Sequence, residues 1–277
     1  MSESNGYKSA SELSEGTRDA LGALLLSLAD NKRLLGIRYS DWLLGAPSVE
    51  AGIACSAMAQ DEWGHARILY SMLKDFGFDP HQLEHERASG EYRNIGLLDA
   101  DVSSWPELLA LNFLLDTALA VQCEALHESR FEPIHYKVRK LLEEERFHFE
   151  HGRGWTSRLA ETEAGRAALA DGYGRAWTSC MGWFGPDDDP LSTTLAAEGI
   201  VNGDAAATRA RWLERVGPVL EAAGLDLARV ENGSWVSDVE PDWSAWSNDR
   251  RRAAAGGPDE DTLARVRGDR NRSLLMD

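Results

Sequence analysis

Apolar side chains recur at helical spacing along most of the chain, and no strand-type alternation appears before residue 230. The first such stretch runs from about Thr17 to Leu44, with Leu21, Leu24, Leu25, Leu28, Leu35 and Tyr39 near a period of 3.6. Gly45-Ala46-Pro47-Ser48 stops it. Ser48 can cap a second helix over about 48–77, with Glu50 favourable in its first turn and Gly77 at its end, before Asp79-Pro80. A loop-rich stretch follows over about 78–103. Ser104-Trp105-Pro106-Glu107 starts a third helix, which runs to about Arg130. Pro133 opens a fourth over about 133–160, and a fifth covers about 162–184. The segment Gly185-Pro186-Asp187-Asp188-Asp189-Pro190 is a break. Beyond it, about 204–224 reads as another helix, followed by a Trp- and Gly-containing segment. Four long helices with short or medium connections predict an all-α bundle with additional C-terminal helices. The expected organisation is a flexible tail over 1–15, one helical domain over 16–248 and a charged tail over 249–277.

Composition narrows the function classes. A chain of 277 residues is long enough to bury a full-sized core. Its net charge of −17 opposes broad attraction to nucleic acid or to an anionic membrane, so neither is an expected partner. Apolar runs such as Leu24-Leu25-Leu26 are far too short to span a bilayer. The first residues carry neither a basic nor an apolar export-signal region. Cys55, Cys123 and Cys180 are scattered with no CxxC pair, which points to a reducing compartment, and the expected location is the cytoplasm.

Two segments carry candidate chemistry: Asp61-Glu62-Trp63-Gly64-His65 in the second helix and Glu144-Glu145-Arg146-Phe147-His148 in the fourth. Each contains Glu-x-x-His, and residues three apart on a helix share a face, so each pair can present a carboxylate and an imidazole to one point. One such pair arises by chance on solvated helices. Two copies on alternate helices of a bundle are the core of a carboxylate-bridged di-metal site, and this donor set suits iron or manganese. The remaining helices should each add a carboxylate. Asp116 supplies one from inside the apolar run Leu111 to Val121, where an ionised side chain is costly unless paired or metal-bound. Glu124 is its rival, two turns further on in a more polar stretch. Glu143 and Glu144 read as a solvated charge run. His127, His135 and His151 read as surface groups or supports for the ligands, and His81 and His85 have no assigned role.

Gln60-Asp61-Glu62-x-Gly64-His65, Glu144-Glu145-x-Phe147-His148 and Phe184-Gly185-Pro186-x-Asp188-Asp189 resemble the catalytic subunit of the phenylacetyl-CoA epoxidase family. The similarity extends over roughly residues 18–250. The resemblance implies a ferritin-like four-helix bundle with two iron ions, or manganese in their place. It implies a monooxygenase-type subunit that uses O2 to insert an oxygen atom into an aromatic or unsaturated acyl-CoA, an epoxidation in phenylacetate catabolism. Glu62, His65, Asp116, Glu145 and His148 fall on family ligand positions, with Glu62 and Glu145 as the catalytic carboxylates. The implied partners are a paralogous helical subunit in a multisubunit complex, a reductase that donates electrons, and the acyl-CoA substrate. Nothing in the chain resembles a flavin or nicotinamide motif.

The chain also departs from the family pattern. The family places a Glu on the first helix about 30 residues before the first Glu-x-x-His, and counting back from Glu62 lands on Lys32. Antiparallel pairing about the turn at Pro47 makes Asp30 the nearest carboxylate, and Asp30 is the expected first-helix ligand. An inward-pointing Lys32 could instead neutralise carboxylates and replace one metal. A family lysine implicated in CoA binding is Met58 here, and Arg93 is the candidate substrate-binding base in its place. Asp61 and Tyr39 are the candidates for orienting the ligands. Three alternatives stand beside the oxygenase: a non-catalytic structural subunit of the same complex, a di-metal oxidase or oxygenase acting on a non-CoA substrate, and simple metal storage or detoxification.

Overall fold

Short polar side chains set the helix starts. Ser48 accepts from Ala51 N, Thr162 from Gly165 N, Asp189 from Ser192 N, Asp204 from Ala207 N and Asp259 from Thr262 N. The computed structural model describes residues 6–253 and 255–268. The helices are α1 (Glu15–Asp41), α2 (Val49–Met72), α3 (Pro80–His85), α4 (Trp105–Ala125), α5 (Glu132–Ala160), α6 (Glu163–Gly182), α7 (Pro190–Ala197), α8 (Ala205–Ala222) and α9 (Glu260–Arg267). A two-stranded antiparallel hairpin, β1 (Arg229–Glu231) with β2 (Ser234–Val236), is the one sheet among the described residues. The fold is all-α, with additional helices beyond the four long ones.

The chain divides into two compact units. One is formed by residues up to Leu21 with Pro106–Trp243; the other by Gly22–Trp105 with the described residues from Ser244 onward. Each contains an antiparallel helix pair. In the second unit, α1 and α2 meet through Asp30–Tyr70 and Lys32–Glu62. Gly36 allows the closest approach, because a Cβ there would lie 2.6 Å from Trp63 Cδ1. In the first unit, α4 and α5 meet through Asn112–His148 and Asp116–His148.

From Leu24 to Tyr39, α1 is buried at every position except Arg33. Its interior polar groups Asp30, Asn31, Lys32 and Arg38 are therefore all out of water, and each is hydrogen-bonded or ion-paired. The apolar helix α4 is long enough to cross a membrane, yet 94% of its apolar window lies inside the fold, as in a core helix.

Several boundaries differ from the sequence reading. The second helix stops at Met72 and continues as a 3₁₀ turn to Phe76, before Gly77 with φ of 90°. The stretch over 78–103 holds α3, whose N-terminus combines an Asp79 cap with Pro80. The segment after Pro190 forms α7. Within the expected N-terminal tail, Tyr7 pairs its backbone with Arg130 and Glu132, and Ala10 is buried; residues 1–5 lie outside the described residues. Within the expected charged tail, α9 buries Leu263 and Val266, and Arg252 binds Asp99; residue 254 and residues 269–277 lie outside the described residues.

Candidate metal centre

In the first unit the site begins with an irregularity in α4. Leu111–Asp116 is a π-helical turn, and all six of its residues are buried. Such turns are rare and occur mostly at functional sites, because one extra residue per turn re-aims the side chains that follow. Asp116 closes this turn, with Oδ2 3.0 Å from His148 Nδ1. Glu145 Oε2 lies 3.9 Å from the same nitrogen. Asp116, Glu145 and His148 are all buried, and one donor atom from each lies within 4.8 Å of the others.

The backbone of α5 reaches the π turn because Gly152 has no side chain. A Cβ at Gly152 would lie 2.8 Å from Asn112 Oδ1 and 3.0 Å from Phe113 Cβ. Asn112 Nδ2 donates to the His148 carbonyl at 3.2 Å. Its Oδ1 lies 3.1 Å from His151 Nδ1, which fixes that nitrogen as the protonated one. Burial, with the neighbouring His148, lowers the His151 pKa to about 4, so the ring is neutral at pH 7. His151, read as a surface or supporting group, is a supporting one.

A cavity of about 410 Å³ borders these residues. Asp116, Glu145 and His148 share its lining with the apolar Ala120, Leu142 and Phe149. Glu124 also lines it but holds Arg215 in a two-pronged ion pair at 2.7 and 2.9 Å. Both Glu124 oxygens are thereby engaged by a guanidinium.

In the second unit, Glu62 and His65 are both buried, with His65 Nδ1 3.8 Å from Glu62 Oε1. The same Glu62 oxygen accepts from Lys32 Nζ at 3.0 Å, and neither side chain of the Lys32–Glu62 pair is exposed. Lys32 therefore stands where the resemblance implies a carboxylate.

Asp30 is not brought to Glu62. Its Oδ1 accepts from Tyr70 Oη at 2.6 Å and from Arg87 Nη2. Its Oδ2 accepts from Arg87 Nη1 at 2.9 Å and from Arg93 N at 2.7 Å. Four donors occupy this carboxylate, so it serves as a structural counter-ion, and the expectation of Asp30 as a metal ligand is corrected. Burial opposes the Arg87 charge, but Asp30 more than offsets it and holds the guanidinium above its ordinary pKa. Arg93, expected to bind substrate, contributes its backbone to this cluster, and its carbonyl accepts from Ser27 and Asn31. Its half-buried guanidinium has its pKa lowered by burial, against the opposing pull of Asp30 and Asp249. Tyr39 is fully buried on α1, and Asp61 is half-buried on α2 beside Glu62.

A family model described as "Phenylacetic acid catabolic protein" matches residues 1–241. The chain belongs to this family. Among curated relatives, one subunit of the 1,2-phenylacetyl-CoA epoxidase of Escherichia coli K12 is 27% identical over 190 residues, covering 68% of this chain and 62% of that protein. The match thus spans less than two thirds of that relative's length. Another subunit of the same epoxidase is 26% identical over 214 residues, covering 76% of this chain and 85% of that protein. Among solved structures, a mutant of an R2-like ligand-binding oxidase with an aerobically reconstituted Mn/Fe cofactor superposes with a TM-score of 0.54 at 15% identity. It covers 77% of this chain and 83% of that one. This likeness makes the fold ferritin-like.

The donors of this family member differ in their fitness for a metal. Asp116, Glu145 and His148 offer two hard carboxylates and one imidazole, a set that suits a divalent ion such as iron or manganese. Glu62 is a further buried carboxylate, and the ammonium of Lys32 donates to it. Asn112 and Gly152 are site residues that the sequence does not single out. Their only signals along the chain are an amide inside an apolar run and a glycine one turn after His148.

Proposed function

We propose that this chain is an oxygenase-type subunit of a multisubunit complex that inserts an oxygen atom into an aromatic or unsaturated acyl-CoA. The observation that carries this reading is the buried Asp116–Glu145–His148 set opening onto a cavity of about 410 Å³. Family membership and the likeness to two epoxidase subunits supply the substrate class. In this reading Asp116, Glu145 and His148 would hold a redox-active ion, iron or manganese. Bound there, that ion supplies the activation of O2, with electrons from a separate reductase.

The protein's own part is positioning and exclusion. Asn112 fixes the turn of α5 that carries His148, and through His151 keeps a neutral ring on its other side. Ala120, Leu142 and Phe149 give the cavity apolar walls against which an acyl group sheds water. The Glu124–Arg215 pair leaves no net charge on that part of the lining. The partner in this reading is a paralogous helical subunit, and the location is the cytoplasm.

A second reading, a non-catalytic structural subunit of the same complex, is favoured by one observation: Lys32 in ion pair with Glu62. The test combines the iron-loaded chain with its paralogue, a reductase, O2 and phenylacetyl-CoA, and follows oxygen uptake and the mass of the acyl product. The oxygenase reading expects product with an added oxygen atom, and its loss in His148→Ala. Undiminished product with His148→Ala in a folded complex would assign the chemistry to the partner and leave this chain a scaffold.

A further inference from the structure

Two histidines that take no part in the candidate metal centre lie one turn apart on α3, in the second unit. Asp79 caps this helix by accepting from His81 N at 2.9 Å, and Pro80 fixes its first residue. His81, Glu84 and His85 therefore fall at i, i+3 and i+4, on one face. The two imidazole rings have centroids 5.0 Å apart, with their planes inclined at 54°.

The surroundings decide which ring nitrogens are open. His85 Nδ1 lies 3.1 Å from the Val266 carbonyl, which can only accept. In the neutral ring the proton therefore sits on Nδ1, and Nε2 keeps its lone pair. That Nε2 lies 3.7 Å from Glu84 Oε2, too far for a hydrogen bond. It is close to the separation of about 3.4 Å between two donors held tetrahedrally at zinc distances. Arg33 Nε lies 3.5 Å from the other Glu84 oxygen, which leaves Oε2 to His85. On the neighbouring ring, His81 Nδ1 lies 3.4 Å from Glu86 Oε1, which favours the proton there and the lone pair on Nε2. Metal-ligating imidazoles are oriented in this way, with the second nitrogen turned to a carbonyl or a carboxylate.

We propose that His81, Glu84 and His85 form a separate surface site for a divalent cation of the zinc type. Two imidazoles and one carboxylate are a softer donor set than Asp116, Glu145 and His148, and suit zinc over manganese. The side chains of His85 and Glu84 are 32% and 14% exposed, and that of His81 is 71% exposed. An ion thus enters directly from solvent, the two less exposed groups hold it, and the His81 ring turns onto it as the closing donor.

The experiment strips the full chain with a chelator, dialyses it against micromolar Zn²⁺ and counts zinc per chain by mass spectrometry. His81→Gln alters an exposed side chain, and circular dichroism checks that its helices are kept. The expected result is one zinc fewer per chain in His81→Gln than in the unaltered protein. The same difference should appear when both proteins also carry His148→Ala, which separates this site from the Asp116–Glu145–His148 set. Glu84→Gln removes a direct ligand and should weaken the zinc by more than about tenfold in a calorimetric titration, since even an outer partner is worth that much. An equal zinc count with and without His81, or zinc held only at millimolar concentration, would overturn the site. Undiminished affinity in Glu84→Gln would overturn the three-donor set.

Discussion

Asn112 Nδ2 donates to the main-chain carbonyl of His148 at 3.2 Å, so a side chain from the π turn of α4 holds the backbone that carries a candidate ligand. The same amide accepts from His151, one turn further along α5. Such outer contacts orient ligands, and losing one costs about 10–100-fold in metal affinity. Asn112→Leu keeps the size and apolar surroundings but removes both bonds. Metal affinity is expected to fall by about that factor in an anaerobic Mn²⁺ titration, with helical circular dichroism preserved. Unchanged affinity in a folded variant would make Asn112 a packing residue only.

Gly152 is the other half of that contact. A methyl group there would meet Asn112 Oδ1 at 2.8 Å and the Phe113 backbone at 3.1 Å, and a backbone atom cannot rotate away. Gly152→Ala should raise helix propensity, since alanine is the better helix former by about 1 kcal/mol. Overpacking costs about 1–3 kcal/mol and is expected to win. Urea unfolding should give a lower midpoint for the variant. A higher midpoint would mean that α4 and α5 can separate freely at this level.

Much of the fold can be read along the chain because its signals are local. The cap at Ser48, the proline at the start of α5 and the break after Phe184 each act within a few residues. Glu145 and His148 are legible for the same reason, since an i,i+3 pair shares a face whatever surrounds it. The π turn is not. It packs against Gly152 and carries the buried Asp116, and neither feature leaves a periodic trace in the apolar run from Leu111 to Val121.

Asp30 shows where register arguments fail. Counting residues about the Pro47 turn places it near the level of Glu62, but helical phase decides which side it faces. Arg87, which claims it, is 57 residues away in a segment with no sequence signal for that pairing. Lys32 is a complementary case. Its position is legible by counting, but its orientation depends on which buried charge needs which partner.

The segment beyond residue 248 also carries structure that composition hides. Asp259 caps α9 by accepting from Thr262 N at 2.8 Å. Burial raises its pKa, but the bonds from Thr262 and the charges of Arg38 and Arg265 outweigh this and bring it below the ordinary value. A carboxylate with a depressed folded pKa stabilises above its unfolded pKa, and that contribution disappears as pH falls through the folded value. Asp259→Ala should cost about 1 kcal/mol near neutral pH. The gap between variant and unaltered chain should hold above the unfolded pKa of about 3.9 and shrink as pH falls below it in acid-unfolding curves, because the folded pKa is the lower of the two. A gap that stays constant across that range would mean the cap acts without its charge.

Asp30 gives the sharpest separation between structural and metal-binding roles. Replacing it with alanine leaves the guanidinium of Arg87, 6% exposed, without its counter-ion. Removing one partner of a buried pair costs about 3–5 kcal/mol, because the charge that remains stays desolvated. Asp30→Ala should therefore lose about that much stability in guanidinium chloride titrations, provided the variant folds. Asp30→Ala combined with Arg87→Met removes both charges and should recover a large part of the loss. Metal content per chain should be the same in the double variant as in the unaltered protein, since no metal-binding donor has been touched. A double variant that folds but loses its metal would restore Asp30 to the ligand set and give α1 a carboxylate at the metal after all.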